Sequence, residues 1–148
     1  MTRTLRPVAA IAVPLCAASV LAGCSLFGGE DVFTLEVGDC MESTNLETTL
    51  ETVPVIDCGE PHESEVYAAF QLDDGSFPGT QAITAEAEGL CLEAFEEFVG
   101  LAYNDSELFA TTMTPTEDSW NRLKDREVLC IIVDSEADVT GTLRNANR

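Results

Sequence analysis

Six cysteines occur in this 148-residue chain, and four of them (Cys40, Cys58, Cys91 and Cys130) lie beyond an N-terminal segment with the marks of an export signal. Arg3 and Arg6 give that segment a positive start, and no acidic residue precedes Glu30. From Pro7 to Gly23 the chain is almost wholly apolar, but Pro7 and Pro14 interrupt it, and it is shorter than the ~20 residues that a spanning helix needs. These are properties of a cleaved leader, and Cys16 is lost with it. In an exported chain an even number of remaining cysteines reads as disulfides. Three pairings of the four are possible. Cys40–Cys58 with Cys91–Cys130 is favoured, because the first joins neighbouring segments of the N-terminal half and the second staples a helix to a late strand. In the loop-entropy account each bridge contributes about 3–4 kcal/mol. Two such bridges tie both halves of the chain into one unit. No Cys-x-x-Cys occurs, so a thioredoxin-type redox motif is excluded. Cys58-x-x-x-His62 lacks a partner pair, and His62 is the only imidazole, so neither a metal nor a cofactor is expected.

At the end of the leader, Leu21-Ala22-Gly23-Cys24 resembles the lipobox of bacterial lipoprotein precursors. That resemblance implies cleavage before Cys24 and acylation of its thiol and new N-terminus (palmitate is the usual amide-linked chain). The mature protein is then expected at the extracytoplasmic face of the cell membrane, anchored through its N-terminal lipid. Two or three acyl chains hold stably where one binds only marginally. Residues 24–31 read as a tether made flexible by Gly28-Gly29, which keeps the domain within ~20 Å of the bilayer.

Removal of residues 1–23 leaves 125 residues, one domain of ordinary size. All 27 acidic residues fall in that part, against five basic ones (Arg122, Lys124, Arg126, Arg144 and Arg148), a formal charge of about −22. Such a surface is repelled by phosphate backbones, which excludes nucleic acid as a partner. The acidity serves solubility outside the cell, and a basic partner or a cation is the sharper alternative. No calcium-loop spacing of Asp/Asn around a central Gly is present.

Along the chain, Val32–Val37 is a short strand candidate ended by Gly38-Asp39, and Met41–Glu51 reads as a loop. Val53–Asp57 alternates weakly. In Ser64–Leu72, the residues Val66, Ala68 and Phe70 alternate with polar or small positions, the pattern of a half-buried strand. Asp73–Gly79 is a turn-rich connection. Thr80 is placed to cap a helix running to about Val99, whose Ile83, Ala87, Leu90, Cys91, Ala94, Phe95 and Phe98 recur at three and four residues. Gly100 stops it. Leu108–Met113 is another strand candidate, Thr114–Asp118 opens a turn or short helix carrying Trp120, and Val128–Val133 suits a central strand. Thr140–Leu143 is a short strand or loop, and residues 144–148 form a polar tail expected to fray. These elements predict an α+β fold, a mainly antiparallel sheet with one long helix packed on it and two disulfides, over residues 32–143.

Three motifs then carry a second resemblance. Val37-Gly38-Asp39-Cys40, Cys58-Gly59-Glu60-Pro61-His62 and Glu65-Val66-Tyr67-Ala68 resemble the septum-formation family domain of actinobacterial envelope proteins. Its helix-borne Cys, its Trp shortly before Gly-Asp-Arg and its last Cys match Leu90-Cys91, Trp120, Asp125-Arg126 and Cys130. The similarity covers about residues 36–143 and departs at Lys124, where the family usually has Gly. It implies a role in septum or envelope growth and carries no reaction with it.

Among candidate site residues, His62 with Glu63 or Glu65 is the one acid–base possibility. Next to a disulfide cysteine and Pro61, its ring is more simply a structural hydrogen-bonding group. No Gly-x-Ser-x-Gly setting or free mature cysteine supports a hydrolase. Asp39, His62, Trp120, Asp125 and Arg126 make up the possible binding or structural cluster, with Asp39 or Asp125 expected to pair with Arg126. No catalytic residue is assigned. The chain reads as a lipid-anchored, non-catalytic interaction or accessory protein with an envelope or division protein as partner. A lipoprotein binding a small molecule or cation is second, and a hydrolase-like enzyme using His62 is third. Replacement of Cys24 by Ala is expected to release the protein from membranes or to block leader cleavage. Detergent phase partitioning checks this, and unchanged membrane retention would remove the lipid anchor.

Overall fold

The computed structural model describes residues 30–31, 34–41, 52–134 and 139–148. The leader, Cys24, most of the tether, the start of the Val32–Val37 candidate and most of the Met41–Glu51 loop lie outside the described residues. The strands are β1 (Glu30–Asp31), β2 (Cys40–Met41), β3 (Thr52–Val53), β4 (Val55–Ile56), β5 (Ser64–Gln71), β6 (Phe109–Met113) and β7 (Glu127–Val133). The helix α1 spans Thr80–Val99. Five strands form an antiparallel sheet in the order β4-β2-β5-β7-β6, and β1 pairs with β3 in a separate two-stranded ribbon.

The apolar run in β7 follows from burial on both faces of the sheet. Val128, Cys130 and Ile132 join the core beneath α1, while Leu129 and Ile131 join a second cluster with Leu35, Met41, Val53 and Val66. The helix contributes Ile83, Ala87, Cys91, Phe95, Phe98 and Val99 to the first core. This is the stripe expected from its spacing. Cys91–Cys130 ties the helix to the central strand across a Cα–Cα distance of 5.4 Å, and Cys40–Cys58 ties β2 to the segment after β4 across 5.3 Å. The expected α+β fold and both disulfides are therefore present.

One alternation differs from the sequence reading. The β5–β7 register shifts between Val66 and Ala68, so a bulge at Tyr67 changes which face each side chain meets. Val66 packs in the second cluster, whereas Tyr67, Ala68 and Phe70 pack on the helix side. Tyr67 closes edge-on against Phe95, with ring centroids 6.0 Å apart, and its hydroxyl donates to the Cys91 carbonyl at 2.8 Å. Burial, reinforced by nearby Tyr103, raises the titration of that hydroxyl well above the ordinary tyrosine range. It remains a neutral donor.

Three local expectations are corrected. The described part of the Val32–Val37 strand candidate, residues 34–37, is not a strand but leads into a turn through Gly38-Asp39: the Glu36 amide donates to the Asp39 carboxylate at 2.8 Å, and Gly38 takes φ +103°. Such a local side-chain bond competes directly with a sheet ladder. Thr80 is the first helical residue, and Gly79 occupies the cap position with no side-chain bond. The tail is held and not frayed. The last turn of a helix has carbonyls without intrahelical donors, and here the Asn145 amide donates to Phe98 at 2.8 Å and the Asn147 amide to Val99 at 3.0 Å. Arg144 stands over the Phe98 ring at 4.3 Å, a cation beside the negative end of the helix dipole. Arg148 pairs with Asp134 and Glu107, and those bonds raise its pKa further. Gly100 leaves the helix at φ +83° in contact with this tail, since a Cβ there would stand 2.8 Å from Asn147 Oδ1.

Lys124 takes φ +61° at the end of the short helical turn Ser119–Leu123, a left-handed conformation that glycine adopts more readily. The turn is thus retained where the family motif would place Gly. Lys124→Gly is expected to stabilise the fold by about 0.5–1 kcal/mol, roughly 2–4 °C in melting temperature. Calorimetry checks it, and a lower melting temperature would show that the lysine side chain outweighs the backbone strain.

Candidate functional site

The five cluster residues do not come together. They separate to opposite ends of β5, an eight-residue strand, roughly 25 Å apart.

At one end stand Asp39 and His62. Pro61 and the disulfide-bonded Cys58 lead the chain to His62, which is 1% exposed. Its backbone forms an antiparallel bridge with Val139, both bonds 2.9 Å long. A carbonyl can only accept, so the Nδ1 that lies 2.9 Å from the Glu60 carbonyl carries the hydrogen. Nε2 is buried and has no hydrogen-bond partner among the described residues. Beside it lies Glu65, also 1% exposed, whose carboxylate accepts from Thr142 Oγ1 and from the Leu143 amide, each at 2.6 Å. A His62 ring nitrogen, a Glu65 oxygen and Cys40 Sγ lie within 4.8 Å of one another. With Cys40 committed to its disulfide, the sulfur is not a thiolate ligand. The two remaining donors fall short of the four that a structural zinc site uses. His62, through its backbone bridge to Val139, and Glu65, through its bonds to Thr142 and Leu143, instead clip residues 139–143 to the start of β5. Asp39 joins through its backbone, its carbonyl accepting from the Val66 amide at 2.9 Å.

At the other end stand Trp120, Asp125 and Arg126. Trp120 is 3% exposed, donates from Nε1 to the Gly75 carbonyl at 3.0 Å and meets Phe77 edge-on at 5.9 Å. The Arg126 guanidinium lies over the indole with its carbon 3.7 Å from the ring centroid. Its Nη1 donates to the carbonyls of Trp120 at 3.0 Å and Asp125 at 2.7 Å. The ion-pair partner is neither Asp39 nor the Asp125 carboxylate, as expected from sequence, but Asp74, with 3.2 Å between Nε and Oδ1. That contact is an ionic one without hydrogen-bond alignment. Asp125 is occupied elsewhere, accepting from Ser119 Oγ at 2.9 Å and from the Glu127 amide at 3.0 Å. This second carboxylate and partial burial raise the pKa of Glu127, burial being the larger cause.

Two groups of participants were not singled out by sequence reading. Asp74 sits in an Asp-Asp-Gly turn with nothing to mark its partner. Thr142 and Leu143 become legible only once Glu65 is known to face inward. A third feature is a shallow groove of about 180 Å³ between α1 and β6, lined by Glu88, Cys91, Leu92, Tyr103, Ala110 and Thr112. Among the described residues no helix is long and apolar enough to cross a membrane.

A family model described as septum formation matches residues 33–147, somewhat beyond the 36–143 span of the motif resemblance. No curated protein and no solved structure matches the chain.

The Arg126 geometry separates two contributions. Asp74 is 94% exposed at its side chain, so its pairing with Arg126 is screened. The buried stacking and carbonyl bonds are not. Arg126→Ala is expected to cost about 2–4 kcal/mol, whereas Asp74→Ala should stay within about 0.5 kcal/mol. Urea denaturation of both variants checks this, and equal losses would assign the cluster's stability to the ion pair.

Proposed function

The chain is a member of the septum-formation family, and from that premise we propose that it is a lipid-anchored, extracytoplasmic accessory protein that works by binding an envelope or division protein, without catalysis of its own. One observation carries the reading: the family match spans the whole disulfide-stapled domain, and the residues in it with catalytic potential are engaged in holding its ends. His62 is buried, with Nδ1 committed to a carbonyl. Arg126 and Trp120 are packed on each other. The disulfides support an oxidising compartment, which agrees with the leader and with acylation at Cys24.

The small-molecule alternative is less favoured. The α1–β6 groove, at about 180 Å³, is below the ~300–1,000 Å³ of pockets that enclose such ligands. The acidity, by contrast, favours a basic partner.

The test is localisation of the full-length protein in its own cells, with an export-compatible fluorescent tag on a flexible linker after Arg148. The expected outcome is enrichment at new septa, lost when Cys24 is replaced by Ala. Even fluorescence around the membrane would overturn the division role.

A further inference from the structure

We propose that the outer edge of β6 receives an extended, cationic segment of an envelope protein as a further strand of the sheet. This rests on the accessory reading above and names its docking surface. β6 is outermost in the sheet and pairs with β7 on one side only. Among the described residues nothing pairs with its other side. The opposite edge, β4, is only two residues long, which is itself a protection against pairing. β6 has five residues, Phe-Ala-Thr-Thr-Met, and contains no proline, lysine or other charge. Strand edges that must stay unpaired normally carry such devices.

The two sides of this edge are prepared alike. Ala110 and Thr112 line the groove with Leu92, Tyr103 and Glu88. Met113, on the other face, packs with the second cluster, and Phe109 shares its side of the pleat. Leu92 is 45% exposed and Phe109 54% exposed. An added strand alternates in the same way, so successive side chains fall beside Leu92 and beside Phe109 in turn. Main-chain bonds then give affinity, and the alternate side chains give specificity.

Charge selects the occupant. Glu88 and Glu96 lie one turn to either side of Leu92 on α1, each ~6 Å along the axis. Neither makes an ion pair among the described residues. Alternate residues of an extended segment repeat every ~6.6 Å. A cation–apolar–cation pattern at every second residue thus has nearly the repeat of acid–leucine–acid along the helix, and Glu88 lines the groove beside Leu92. The domain has few cations of its own to offer: Arg122, Arg126 and Arg148 are already paired with carboxylates. A second copy of this chain would bring another strongly negative surface to the same edge and be repelled.

The full-length lipoprotein in nonionic detergent, titrated into a labelled peptide, tests the proposal. The probe is Thr-Lys-Ile-Val-Ile-Lys-Thr, which puts Lys, Val and Lys on one face and both Ile on the other. The control, Thr-Ile-Lys-Val-Lys-Ile-Thr, has the same composition and charge with the faces exchanged. The expected result is at least tenfold tighter binding of the probe by anisotropy, with amide-exchange protection over residues 109–113. Leu92→Glu and Phe109→Ser, both at exposed positions, should each weaken it at least fivefold while leaving the melting temperature within a few degrees. Equal binding of the two peptides, absent protection of 109–113, or indifference to both variants would overturn the proposal in favour of diffuse charge attraction. A concentration-dependent dimer that Phe109→Ser abolishes would overturn it in favour of a second copy. Failure of the peptide with the protein still enriched at septa removes this edge and leaves the accessory role standing. Specific peptide binding with even membrane fluorescence removes the division role and leaves the edge.

Discussion

The antiparallel ladder between β5 and β7 is the constraint that the remaining structure answers to. It runs from Ser64 opposite Val133 to Gln71 opposite Glu127. Because β7 is apolar on both faces, it demands two covering layers, and burial of each large side chain is worth about 1.5–3 kcal/mol. One layer is substantial: twenty residues of α1, six of them buried. The other is assembled from two-residue strands and the turn at Leu35–Asp39. Pairings that short do not hold themselves in water. Each disulfide accordingly serves one layer. Cys91–Cys130 fixes the helix to β7, and Cys40–Cys58 closes the thin layer where backbone pairing is scarcest.

The excess of acid over base shapes how the ends of the ladder are finished. Glu65 is buried and makes no ion pair among the described residues. Its carboxylate is held by one hydroxyl and one amide, both at 2.6 Å, which supplies donors for a group too costly to bury bare. Arg126 is the converse. It is spent less on neutralising a carboxylate than on covering Trp120 and satisfying two backbone carbonyls. A planar guanidinium does both at once in one geometry, which the compact ammonium of a lysine does not reproduce. Polar residues that read as chemistry in the sequence are thus consumed in closing a small sheet at its two ends.

What was legible in the sequence was whatever had length and a clear period. α1, β5 and β7 were readable because their apolar residues follow 3.6-residue spacing, alternation or a continuous run, and the disulfide pairing followed once the helix and late strand were placed. The errors have local causes. At Leu35–Asp39 an Asp carboxylate captured a backbone amide that a strand would have used. At Tyr67 a bulge exchanged faces, which no alternation pattern shows in advance. The tail looks frayed in isolation, because its role is to donate amides to helix carbonyls more than forty residues earlier. Arg126 found Asp74, a pairing set by where two turns meet and not by sequence distance.

The tail also determines which surface is left for a partner. Leu143 bonds Glu65, Asn145 and Asn147 bond the last turn of α1, and Arg148 bonds Asp134, so a short segment fastens the helix C-terminus to the His62 end of the sheet. Trp120, Phe77 and Arg126 close the other end. α1 covers one face, and the short N-terminal strands cover the other and carry the β4 edge. With both ends and both faces covered and the β4 edge only two residues long, the longest open array of backbone hydrogen-bonding groups in the described domain runs along β6. That strand is also the one flanked by exposed Leu92 and Phe109. On the proposed reading, this edge and the acidic helix beside it are the surface that meets the partner.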